Sequence, residues 1–193
     1  MGMSLRILLK KRRAWEKIET QAIRGEQQDQ ASQNLTFRKT HANINKMPLW
    51  SIYHPTGTFE DEASREALSK DITKFYTSIG LPPFYVIVNF ITLPGNAMWI
   101  GGRPNTGKPF IRLKIDHIAV TLPNEDEAYK RTTSRIDAAL KPHIADKGYD
   151  WEYHVDETER RLWKVQGMYA PPFQSEEEKK WFEANKPLPW SGA

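Results

Sequence analysis

Two stretches of the chain repeat one order of elements, strand then helix then strand, and this repeat limits the fold more than any other feature. In the first stretch, "PLWSIYH" (48–54) mixes aromatic and β-branched residues as strands do. "HPTGTF" (54–59) then supplies Pro and Gly for a turn. Thr58 with Asp61 three residues on predicts a helix N-terminal cap pair. Leu68, Ile72, Phe75 and Ile79 recur at helical spacing, and Gly80 followed by Pro82 ends the run. "FYVIVNFITL" (84–93) reads as a buried strand closed by Pro94 and Gly95.

The second stretch uses the same grammar. "PFIRLKIDHIAV" (109–120) is a strand with Ile111, Leu113 and Ile115 on one face and Arg112, Lys114 and Asp116 on the other. Asn124 with Glu127 predicts a capping box, and Tyr129, Thr133, Ile136 and Leu140 continue a helical stripe. Pro142 ends that helix, Gly148 closes the segment, and "YDWEYHV" (149–155) is the fourth strand. The expected architecture is α/β: two tandem β-α-β units, about 48–95 and 109–156, followed by a C-terminal tail, 157–193. Strands joined through a helix lie parallel within each unit. Side by side, the units form a four-stranded sheet with both helices on one face. The other face then needs a cover, most cheaply a second copy of the chain, with Arg112, Lys114 and Asp116 placed to set its specificity.

Charge divides the chain at the same point as the pattern. Residues 1–46 hold ten Lys/Arg against four Asp/Glu, densest at "LKKRR" (9–13), whereas residues 47–193 hold eighteen against twenty. The first 46 residues are expected to be a basic, disordered leader or a mis-assigned start. Nucleic-acid contact, if any, is expected only through its residues 6–24. The absence of cysteine excludes a disulfide framework and a thiolate nucleophile, and it fits a reducing, cytoplasmic setting. The longest apolar run is far too short to cross a bilayer as a helix. "GRPNTGKP" (102–109) mimics a phosphate-binding loop, but Pro109 stands where a magnesium-binding hydroxyl belongs and a strand follows. The five histidines lack the paired spacing of a zinc site, so neither metal nor cofactor is expected.

"MPLWSIYHPTGTF", "VNFITLPGNAMWIGG", "IDHIAV" and "YDWEYHVDETERRLW" together resemble the tautomerase superfamily. The branch they look most like is that of cis-3-chloroacrylic acid dehalogenase and its fungal relatives. The resemblance spans about residues 47–190 and implies a tautomerase/MIF-like fold, a homotrimer and a catalytic amino-terminal proline. It also implies a substrate that is a small carboxylate or enol: such enzymes ketonise enols, isomerise unsaturated 2-keto acids or add water to halo-acrylates.

Carried over position by position, the resemblance matches the proline base to Pro48 and the water-activating tyrosine to Tyr153. Tyr76 replaces the histidine of the first helix. His117 and Val120 stand where two substrate-clamping arginines are expected. The glutamate that activates water falls near Lys164 to Gln166 and is absent. Addition of water needs a positioned base, so dehalogenation is disfavoured and keto–enol tautomerisation of small 2-keto acids is the expected reaction. Arg103, Arg112, Lys114 and Lys164 are candidate cations for the substrate, with His117 and Tyr76 as further polar candidates. For Arg112 and Lys114 an ion pair with Asp116 is the competing reading, and for Tyr76 it is packing. His54 and His117 read as hydrogen-bonded structure, and Trp50, Trp99 and Trp151 as packing in the core or at a subunit seam. The competing function is a non-catalytic trimeric scaffold in which Pro48 stays internal, with an amide nitrogen that is no base, and the leader binds a partner.

Overall fold

The computed structural model describes residues 47–118 and 121–193, all within one compact unit of the chain. The expectations for residues 1–46, and for Val120, lie outside the described residues. Among the described residues, six strands and three helices follow in the order β1 (Met47–Pro55), α1 (Glu62–Thr77), β2 (Ile87–Leu93), β3 (Trp99–Ile100), β4 (Arg103–Pro104), β5 (Phe110–Ile118), α2 (Asp126–Leu140), β6 (Asp150–Glu157) and α3 (Glu176–Ala184). The main sheet has the order β2-β1-β5-β6. β1 pairs with β2 and β5 with β6 in parallel, as each β-α-β crossover requires, and the two units meet at an antiparallel β1–β5 seam. β3 and β4 form a separate small hairpin in the link between the units.

Alternation along β1 and β5 sorts the side chains of the sheet into two faces. Trp50 and Ile52 of β1, with Ile111, Leu113 and Ile115 of β5, point to the covered side and are fully buried. They pack against Leu68 and Ile72 of α1 and against Ile136 and Leu140 of α2. Each fully buried aliphatic side chain contributes about 1.5–3 kcal/mol by leaving water. On the open side, Arg112, Lys114 and Asp116 line up beside Glu152, His154 and Asp156 of β6. Arg112 Nε meets Glu152 Oε1 at 3.0 Å, and Lys114 Nζ meets Asp116 Oδ1 at 2.8 Å.

Local details depart from expectation at four places. Asp61 alone caps α1, its carboxylate accepting the Ser64 N–H at 2.7 Å. Thr58 instead donates its hydroxyl to the Pro55 carbonyl at 2.7 Å, closing the preceding turn. Glu125, not Asn124, precedes α2 and gives no side-chain cap; Asn124 accepts the Tyr129 hydroxyl at 3.2 Å. The expected strand 84–93 is shorter, because Pro83–Tyr85 make a 3-10 turn, and β2 is an edge strand that leaves Ile87 42% exposed. Residues 157–193, which the sequence pattern leaves as a tail, carry α3. Trp181 of that helix is buried with Phe84, Tyr85 and Trp163, and its indole donates to the Leu188 carbonyl at 2.8 Å. Trp50 belongs to the core, Trp151 stacks on Tyr153 at 5.8 Å, and Trp99 on the hairpin is 59% exposed. Among the described residues no helix is long and apolar enough to cross a membrane.

Candidate active site

A cavity of about 440 Å³ opens at the end of the β1–β5 seam, between the C-terminal part of α1 and the first half of α2. Its size suits a small molecule. Pro48 and His117, opposite each other in the antiparallel register, form one wall. Phe75 and Tyr76 line it from the end of α1, where the apolar stripe begun by Leu68 and Ile72 continues, and Ile79 lines it from the turn that follows. α2 adds Ala128, Arg131, Thr132 and Arg135, and the segment before α3 adds Phe173 and Gln174.

Beneath the cavity lies a hydrogen-bonded line. The Trp50 indole donates to the Tyr76 hydroxyl at 3.0 Å, and that hydroxyl lies 3.0 Å from His117 Nε2. An indole N–H can only donate, so Tyr76 accepts from Trp50, and the tautomer of the His117 imidazole sets the direction of the second bond. Tyr76 is 2% exposed, and burial pushes its ionisation far above the ordinary tyrosine range, with the Trp50 bond opposing only in part. At neutral pH it is a neutral phenol, never a phenolate.

The cationic groups of the cavity come from α2. Arg135 sits with its guanidinium 4.7 Å from the centre of the Phe75 ring and donates to Ser78 Oγ at 2.9 Å. Arg131 is exposed to solvent and to the cavity, and it has no acidic partner among the described residues. Among the described residues, no Asp or Glu lines the cavity. An apolar pocket with two guanidiniums and no carboxylate favours an organic anion.

The residues expected from sequence divide into two groups. Pro48, Tyr76 and His117 share the cavity. Tyr153 faces α2, its hydroxyl donating to Asp137 Oδ1 at 2.9 Å, and does not line the cavity of its own chain. Burial and the Asp137 carboxylate raise its ionisation well above the ordinary tyrosine range. Arg112 and Lys114 lie on the open sheet face in the charge network described above, where Arg112 also reaches His154 Nδ1. Arg103 is exposed on the small hairpin, and Lys164 lies 4.2 Å from the centre of the Tyr169 ring. His54 of β1 is buried, within 3.2 Å of Thr58 Oγ1 and of Thr92 Oγ1, and burial lowers its pKa. Arg131 and Arg135 were not among the residues the sequence nominated. Their signal is the stripe 128, 131, 132, 135, one face of a helix at spacings of three and four.

The four-stranded sheet of paired β-α-β units and the proline-walled cavity define a tautomerase-type fold. The chain belongs to the family described as "Putative oxalocrotonate tautomerase enzyme", whose model matches residues 47–186. A probable enzyme from the thermophilic fungus Aspergillus fumigatus is 42% identical over 76% of this chain and 100% of its own, with a TM-score of 0.67. Native RhCC from Rhodococcus jostii RHA1 is 38% identical over 74% of this chain and 99% of its own, with a TM-score of 0.69. N1, a member of the cis-3-chloroacrylic acid dehalogenase family, shares the fold at 18% identity and a TM-score of 0.52, covering 73% of this chain and 92% of its own. No curated protein matches the chain.

Proposed function

We propose that the Pro48 cavity is the active site of a keto–enol tautomerase for small 2-keto acids. The observation that carries this reading is Pro48 in the wall of an apolar cavity that holds two guanidiniums and, among the described residues, no carboxylate. A free α-amino group titrates near 8, and apolar surroundings with neighbouring cations lower that by disfavouring the ammonium form. The neutral amine accepts the enol hydroxyl proton while the enol C=C electrons take a proton at C3, returned by the same nitrogen. The product is the keto acid, and the amine is regenerated. Tyr76 and His117 form a fixed hydrogen-bonded pair beside the oxygen where charge gathers. Dehalogenation is disfavoured because, among the described residues, no cavity carboxylate can activate water. We take residues 47–193 as the catalytic domain, residues 1–46 as a separate leader and the cytoplasm as its setting. A homotrimer joined over the open sheet face, where the charged rows of β5 and β6 lie, completes the proposal.

One observation favours the second reading. β1 starts at Met47, paired with Ile118, so in the full chain the Pro48 nitrogen is an amide and cannot act as a base. A chain that keeps Met47 is then a binding scaffold of the same fold. Intact mass separates the two, because the enzyme requires a species beginning at Pro48. Ketonisation of phenylenolpyruvate is the companion assay. The form beginning at Pro48 is expected to be active and the full chain inactive. Equal rates for the Pro48 form and its Pro48→Ala variant remove Pro48 from the mechanism.

A further inference from the structure

The resemblance that matches Pro48 to the base looks for the substrate clamp on β5, but β5 offers His117 there and no arginine at that position. The cavity's guanidiniums come from α2 instead. Arg131 and Arg135 are one turn apart on one helix face, together with the small residues Ala128 and Thr132, which leave room for a ligand beside them. The two arginines are in different states. Arg135 is committed to Phe75 and Ser78. Arg131 lines the same cavity without an acidic partner among the described residues, whereas its neighbour Lys130 turns away to Glu127 at 3.3 Å. A guanidinium offers paired donors in a plane that match a carboxylate.

We propose that Arg131 binds the carboxylate of the substrate, with Arg135 a positioning residue that fixes the adjoining wall, so that the clamp of this site stands on α2. The assignment rests on the active-site reading for the location of the cavity, but not on a free Pro48 amine. The anion approaches from the helix side, and the rest of the ligand lies against Phe75, Ile79 and Leu122. That arrangement selects a monocarboxylate with an apolar tail.

The test is equilibrium binding of phenylpyruvate and of its methyl ester to the full chain, followed by calorimetry. Arg131→Gln is expected to weaken acid binding at least tenfold and to leave ester binding within twofold. Arg131→Lys should recover part of the loss, since the charge returns without the paired donors. Lys130→Gln removes the same charge one residue away and should leave acid affinity within twofold. The assignment is overturned if the full chain does not bind the acid, if Arg131→Gln binds it as tightly as the parent, or if Lys130→Gln loses as much. Turnover by the form beginning at Pro48 distinguishes the two claims. Activity with an unchanged KM in Arg131→Gln removes the clamp and keeps the enzyme; acid binding that depends on Arg131 without turnover keeps the clamp and removes the tautomerase.

Discussion

Tyr76→Phe is the sharpest probe of the line beneath the cavity. The substitution removes one oxygen and leaves the ring, so no large cavity opens and the loss reports hydrogen bonding. The Trp50 indole N–H, donated to Tyr76 at 3.0 Å, is left without its acceptor inside a fully buried site. A stranded buried donor costs about 1–3 kcal/mol, and the lost bond to His117 adds about 1 kcal/mol. The expected loss is therefore roughly 2–4 kcal/mol, or a fall in Tm of about 5–15 °C for a domain of this size. Urea unfolding of the parent and the variant, followed by tryptophan fluorescence, measures it directly. Trp50→Phe in the same background completes a double-mutant cycle. The double variant should cost at least about 1 kcal/mol less than the two single losses together, because the stranded donor is gone. A Tyr76→Phe loss below about 0.5 kcal/mol, or strict additivity in the cycle, refutes the proposed line.

Glu178 gives a pH prediction. It is 1% exposed, its Oε2 accepts the Gln174 N–H at 2.6 Å, and burial pushes its pKa up to about 7, with Arg160 opposing. Raised above its unfolded value, it makes the folded state bind the extra proton. Its contribution is thus fully present below about pH 4.5 and is lost as pH rises through about 7, worth on the order of 3 kcal/mol. Glu178→Gln, which still offers a carbonyl to Gln174, should flatten the stability profile between pH 5 and 8 in chemical denaturation and gain stability at pH 8; an unchanged slope contradicts the assignment. Leu113→Ala, fully buried between sheet and helices, should cost about 2–5 kcal/mol, while Leu162→Ala, at 86% exposure, should stay within about 0.5 kcal/mol. Similar losses at the two positions would overturn the assignment of faces.

The repeat of β-α-β units was legible because two periods, 2 in the strands and 3.6 in the helices, change at glycine and proline. Ile111, Leu113 and Ile115 fell on the buried face for that reason, and Arg112, Lys114 and Asp116 on the open one. Caps were less legible. Thr58 and Asn124 have the right chemistry, yet each hydroxyl or amide found a nearer partner in the Pro55 carbonyl or the Tyr129 hydroxyl, a choice set by turn geometry. In the cavity, Pro48 was conspicuous as a proline at a strand start. The relation of Tyr76 to Trp50 and His117 joins residues 26 and 41 positions apart and has no local signature. Arg131 was hidden for the opposite reason: "YKRTTSR" looks like a solvated helix face, and only the packing of α1 beside α2 turns that face into a cavity wall.

The antiparallel seam also sets an order of events during synthesis. β1 lies in the interior of the sheet, but its partner β5 ends at residue 118, some sixty residues later. As the nascent chain emerges, the first β-α-β unit can form while one edge of β1 keeps its N–H and C=O groups unpaired and Trp50 and Ile52 only partly covered. An exposed apolar edge of this kind pairs readily with other chains. Ribosome stalling or premature termination between residues 95 and 110 would release a fragment carrying that edge, so aggregation should be concentrated in products of that length and fall sharply once β5 is included.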